Sequence, residues 1–303
     1  MTQTIPSPAE GAAIAIQWAR GADWNGPAAA RATASREGFS GKAGQILLAP
    51  DAAGGLERVV FGLGEGAAPS AMSVRVLGGG LPPGDYRIED PAGVLDPGQI
   101  ALAWALGAYR FDRYKKNRDD PPPRLLPPAG ADMARSGALA QACALARDMI
   151  NTPASDMGPR QVETLAREIA QANGAAITVT VGDALIEAGY PAVHAVGRAA
   201  AAERAPRMIE IAWGETGAPL VALIGNGVTF DSGGLDIKAS AGMRLMKKDM
   251  GGAAHALALA RMVMDARLPV RLAVLIPTVE NAIGGDAMRP GDVLASRGGL
   301  SIE

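Results

Sequence analysis

From residue 175 onward, short apolar runs alternate with longer stretches of helical period. AAITVTVGD (175–183), RMIEIAWG (207–214), PLVALIG (219–225) and VRLAVLIP (270–277) read as strands. ARSGALAQACALARDMI (134–150) and GGAAHALALARMVMDA (251–266) read as helices, and NTPASDMGPRQ (151–161) as a loop that begins another helix running to about Gln171. Near-continuous apolar strands separated by helices predict a mixed, mainly parallel sheet with helices on both faces. The first third is patterned differently. QILLAP (45–50), RVVFGLG (58–64) and MSVRVLG (72–78) read as short strands among Gly-rich turns. PGQIALAWALGAYRFDRYKK (97–116) reads as a helix, with Pro97 at its start and basic residues at its end. Five prolines in DDPPPRLLPPAGAD (119–132) then predict an extended linker. The expected class is α/β: a small N-terminal α/β domain over 1–118, a Pro-rich linker over 119–133, and a larger domain over 134–303 built on the mainly parallel, helix-covered sheet.

Composition narrows the function classes. The 29 basic and 31 acidic residues leave a net charge of −2, so nothing calls for nucleic acid. Cys143 is the only cysteine, which excludes an intrachain disulfide and a thiolate cluster. No apolar run approaches the roughly 18 residues that a membrane span needs, and the N-terminus lacks the basic and apolar regions of a signal peptide. A cytoplasmic protein without a membrane partner is expected.

In an α/β sheet, ligands bind at the carboxyl ends of the strands, and GNGVTFDSGG (225–234) sits at such an end. A phosphate loop is disfavoured: no Lys-Ser/Thr pair follows the second glycine, and Phe230 stands where a dinucleotide fingerprint needs a third. The alternative is a metal. Asp231 and Asp249 supply hard oxygen donors, with Lys238 between them. Asp249 could equally be an N-cap of the helix that follows it.

GNGVTFDSGGLDIK followed by MKKDMGGAA resembles the signature region of the leucyl aminopeptidase family, the M17 metallopeptidases. NTPASDMGP (151–159), AVGRAAAAERAPRMIEI (195–211) and ENAIGGDAMRPGDVL (280–294) resemble further blocks of that family in the same order. The resemblance covers about 136–303, and the first 120 residues fit the family's smaller N-terminal α/β domain. It implies a metal-dependent aminopeptidase that acts on peptides with a free N-terminus through a water activated by two divalent ions, zinc or manganese. It also implies a homo-oligomer, a hexamer in the family. Carried over by position, Asp231 resembles the ligand that bridges both ions and Asp249 a ligand of the more exchangeable one. Lys238 resembles the catalytic lysine that polarises the scissile carbonyl, and Met246 a side chain lining the substrate pocket.

Two departures set further expectations. Asn226 stands where the family has a metal-ligating lysine, so weaker occupancy of the exchangeable site is expected. The chain stops at Glu303, short of the family's NTDAEGR motif, which brings two more carboxylate ligands and a bicarbonate-holding arginine. A truncated catalytic domain with little or no peptidase activity is expected on that ground. The alternative is a catalytically dead homologue acting as a scaffold or DNA-binding regulator. His194 and His255 read as structural, Lys247 and Lys248 as a solvated face. Met243, Met246 and Met250 read as either core packing or a substrate pocket.

Overall fold

A computed structural model describes residues 13–302 apart from 22–23, 25, 52, 66–68, 91 and 116–120. The first residues of the expected linker, and the last of the helix read over 97–116, therefore lie outside the described residues. The chain forms two compact units that divide between Ala144 and Leu145.

The first unit runs β1 (Ile14–Ala19), α1 (Ala28–Arg36), β2 (Ile46–Pro50), β3 (Leu56–Gly62), α2 (Arg75–Gly80), β4 (Asp85–Glu89), α3 (Pro97–Ala108) and β5 (Arg124–Leu125). Its sheet has the order β2-β3-β1-β4-β5, parallel throughout except for the β2–β3 pair. Val59, Val60 and Phe61 are all buried because β3 is covered on both faces. Ile16, Phe61 and Tyr86 share one core cluster with Leu77 of α2 and Trp104 of α3, while Leu47 and Val60 join Ala34 of α1 in another.

Two readings are corrected here. MSVRVLG is not a strand but a 3₁₀ turn, Ala71–Val74, running into α2. The Ser70 side chain accepts from the Met72 N–H, and the buried Val74 and Leu77 stand three residues apart, which suits a helix. The helix that begins at Pro97, capped by Asp96 accepting from the Gln99 N–H at 2.8 Å, ends at Ala108. Tyr109 turns out of it at φ −58°, ψ 130°.

Helix α4 (Met133–Asn151) leads into the second unit. There follow α5 (Pro159–Ala172), β6 (Ala176–Val181), α6 (Ala184–Glu187), α7 (Pro191–Gly197), β7 (Arg207–Trp213), β8 (Leu220–Ile224) and β9 (Gly227–Asp231). After them come α8 (Ser240–Met243), α9 (Gly251–Asp265), β10 (Arg271–Asn281), β11 (Leu294–Ala295) and β12 (Ser301–Ile302). The sheet has the order β6-β7-β10-β8, with β9 also on β10. β8 and β9 lie parallel to β10, whereas the β6–β7 and β7–β10 pairs are antiparallel. The sheet is thus mixed, in an α/β fold. Leu272, Val274 and Ile276 alternate into the core, and the last two pair across with the equally buried Ile211 and Ile209. The opposite face packs against α7 but leaves the row Leu220, Ala222 and Ile224 open, Ile224 being 72% exposed.

β8 and β9 continue one register along β10: Leu275 pairs with Ile224, and Thr278 with Gly227. Opposite the gap stands Pro277, which has no N–H to give to a ladder. The chain leaves the sheet at Gly225–Asn226 and rejoins it as β9, so half of the Gly-rich stretch is strand rather than turn.

Candidate metal centre

Asp231 is the last residue of β9, at the end of the sheet where β10 also stops. The chain then loops back, with the Lys238 N–H donating to the Ser232 carbonyl at 2.9 Å. That return brings Lys238 Nζ within 2.8 Å of Asp231 Oδ2. The other oxygen, Oδ1, accepts from the Gly233 N–H at 2.9 Å and from Asn281 Nδ2 at 2.8 Å. Gly233 has φ +90°, which only glycine adopts without strain, and this conformation turns its N–H onto the carboxylate.

The local electrostatics follow from these contacts. Burial raises the Asp231 carboxyl, but the hydrogen bonds from Lys238, Gly233 and Asn281 and the ammonium's charge outweigh it, holding it below the usual carboxylate range. The same hydrogen bond and the charge of Asp231 push the Lys238 ammonium up, so it stays protonated at neutral pH. Asp249 moves the other way. Burial, and then the negative charge of Asp231, raise its carboxyl against the pull of Lys248 and Lys238. Asp231 and Asp249 are thus two half-buried carboxylates that feel each other's charge and that of Lys238.

Asp249 does not cap α9. Met250 holds the N-cap position without a side-chain bond, and Asp249 follows a 3₁₀ turn, Met246–Lys248, that packs on β9. Met246 is half-buried at the start of that turn, and Met250 is fully buried, so Met250 belongs to the core. Lys247 is not a solvated side chain: it is half-buried and donates to the Asn151 carbonyl at 2.7 Å. His194 meets Asp183 Oδ1 at 3.0 Å, and His255 meets the Gly251 carbonyl at 2.7 Å, so each has a structural partner.

Asn226 is tied to the backbone at both ends of its amide. Oδ1 accepts from the Val228 N–H at 3.1 Å, and Nδ2 donates to the Asp249 carbonyl at 3.0 Å. Its own carbonyl accepts from Ala253 at 2.7 Å, which fastens the strand break to the start of α9. The approach is close enough to require Gly252, where a Cβ would lie 2.7 Å from the Asn226 nitrogen.

The donor chemistry suits a hard divalent cation: Asp231 and Asp249 offer oxygen and no soft ligand competes. Among the described residues no group of three or more His, Cys, Asp and Glu that could hold a metal ion converges. A cleft of about 690 Å³, lined by Asn173, Trp213, Glu215, Met264 and Arg267, opens at the other end of β10. At the rise of a strand that is roughly 30 Å from Asp231, so it belongs to no part of this centre. Sequence reasoning missed Asn281 and the Gly233 N–H. The available signal for the first was a lone amide at the end of a largely apolar strand.

The chain is similar to known proteins along most of its length. Residues 144–303 match the model of the cytosol aminopeptidase family, catalytic domain, and residues 13–127 match the M17 aminopeptidase N-terminal domain. A probable cytosol aminopeptidase of Rhodococcus opacus is 35% identical over 88% of this chain and 56% of its own length. That of Roseiflexus castenholzii is 36% identical over 88% and 60%. Among solved structures, the crystal structure of the cytosol aminopeptidase from Coxiella burnetii has a TM-score of 0.87 at 39% identity, over 97% of this chain and 65% of that one. The bottromycin maturation enzyme BotP in complex with Mn has a TM-score of 0.79 at 32% identity, over 96% and 64%. The chain spans somewhat more than half the length of the curated relatives it matches. No described helix is long and apolar enough to cross a membrane.

Proposed function

The chain belongs to the cytosol aminopeptidase family, and from that premise we propose that it releases N-terminal residues from peptides by metal-dependent hydrolysis at Asp231, Lys238 and Asp249. The observation that carries this reading is the 2.8 Å contact of Lys238 with Asp231 beside the Asp249 carboxylate, at the carboxyl end of the sheet. Asp231 and Asp249 would hold the cation, zinc or manganese, in a two-ion centre; BotP with Mn supports manganese. A bound ion of this kind supplies a water of lowered pKa and positive charge for a developing oxyanion. Lys238, 35% exposed and kept protonated by its carboxylate, donates to that oxyanion. Met246 lines the pocket for the first substrate residue. Self-association as a hexamer belongs to the same proposal.

Asn226 lowers occupancy at one ion, since its amide oxygen is a poorer ligand than a lysine amine and already accepts from the Val228 N–H. The same observation, with no third carboxylate or imidazole converging among the described residues, favours a catalytically silent homologue as the second reading.

Hydrolysis of an aminoacyl p-nitroanilide with added Mn²⁺ separates the two. Turnover should require a free α-amine and vanish with chelator. Lys238→Met should lower kcat about 10²- to 10³-fold with little change in KM. Equal turnover of an N-acetylated substrate, or full activity in Lys238→Met, overturns the peptidase reading; metal uptake without turnover supports the silent one. Asn226→Lys should raise Mn²⁺ uptake, and unchanged uptake removes the role given to Asn226.

A further inference from the structure

β10 and β9 meet at their ends through a bulge. Val279 pairs with Val228 and Glu280 with Phe230, so Thr229 has no cross-strand partner and Asn281 comes to stand opposite Asp231. Bulges of this kind re-aim side chains at the ends of strands. The Thr229 hydroxyl anchors the spare residue by donating to the Val279 carbonyl at 3.1 Å. The Asn281 backbone is fixed as well: its carbonyl accepts from the Ser232 N–H at 3.1 Å and from the Ser232 hydroxyl at 2.7 Å. Beside it, Glu280 is paired with Arg204, which also donates to the Ala154 carbonyl at 2.6 Å. The Asn281 amide is therefore aimed by a rigid frame, and what it meets is Asp231 Oδ1, at 2.8 Å.

A carboxylate oxygen has two good acceptor directions. On Oδ1 both are used, by Asn281 and by Gly233. Oδ2 remains, facing Lys238. We infer that Asn281 is a positioning residue, whose amide fixes the Asp231 carboxylate so that Oδ2 is the oxygen presented to a divalent cation. The inference rests on the metal reading proposed above. Partners of this kind, one bond removed from the ion, typically set affinity by 10- to 100-fold.

The test uses the whole chain and two readouts. Mn²⁺ affinity is measured calorimetrically for wild type and for Asn281→Ala and Asn281→Asp. Both variants should bind at least about tenfold more weakly. Thermal unfolding of the metal-free protein is then followed in a cycle with Asp231→Ala. Asn281→Ala should lower Tm in the wild-type background and leave it unmoved once Asp231 is gone. Variants that bind Mn²⁺ as tightly as a binding wild type, or a Tm loss that persists undiminished without Asp231, overturn the role of Asn281 alone. A wild type that takes up no Mn²⁺ overturns the metal reading, and the role with it.

Discussion

Substituting Glu163→Gln removes one charge from a pair at the site end of the second unit. Arg207 opens β7 opposite Thr278, and its side chain is only 5% exposed. It donates from Nη1 to Glu163 of α5 and from Nε and Nη2 to the Ala205 carbonyl at 3.2 and 3.1 Å. Glu163 is the one carboxylate it meets among the described residues. Gln keeps the shape and one acceptor but leaves the buried guanidinium without a counter-charge. Breaking such a pair costs about 3–5 kcal/mol. The lower end applies here, because Glu163 retains 16% exposure and the amide still accepts. About 3 kcal/mol, at about 2–4 °C per kcal/mol for a unit of this size, gives a fall in Tm of about 6–12 °C by calorimetry at pH 7. Removing the exposed partner instead, by Arg167→Ala, should cost under about 1 kcal/mol.

The pH dependence has a fixed sign. Burial raises the Glu163 carboxyl, but the hydrogen bonds and charges of Arg167 and Arg207 outweigh it, and it lies below its ordinary value of 4.5. A depressed folded pKa stabilises fully above the unfolded value and loses that contribution as pH falls through the folded one. The gap between wild type and Glu163→Gln should therefore be flat from about pH 6 to 8 and close below about pH 4. A fall in Tm under about 2 °C at pH 7, or a gap that widens on acidification, would refute the reasoning.

Two further substitutions test the backbone. Gly252→Ala should lower Tm: its Cβ would press on the Asn226 nitrogen at 2.7 Å, a strain of about 1–3 kcal/mol that exceeds the gain of up to about 1 kcal/mol in helix propensity. A rise in Tm would show that the strand break can move away. Arg267 has φ +48° just beyond α9, where its N–H reaches the Met264 carbonyl at 3.0 Å and the Leu268 N–H reaches Val263 at 3.1 Å. This is the left-handed helix end that glycine favours, so Arg267→Gly should stabilise by up to about 1 kcal/mol. A fall in Tm would mean that the arginine side chain contributes more than its backbone costs.

The second unit was the more legible half. Its strands are long, apolar and bounded by Gly and Pro, so β6, β7, β8 and β10 stand within a few residues of the runs that announced them. The first unit hides its elements. β1 carries Gln17 in a short run, and Met72, Val74 and Val76 alternate with a period of two although the buried pair Val74 and Leu77 is helical. At the site, Asp231, Lys238 and Asp249 share one 19-residue stretch, and family resemblance brought them forward. Asn281 comes from a strand 50 residues away, and only the sheet register puts it opposite Asp231. Glycine content also misled: it suggested a loop where Gly227 begins a strand lying close against β10.

Because β8 and β9 run along β10 in one register, the outer edge of β8 leads past Asn226 to Asp231 without changing direction. Whatever segment pairs with that edge, beside the open Leu220 and Ile224, extends toward the carboxylates as it lengthens.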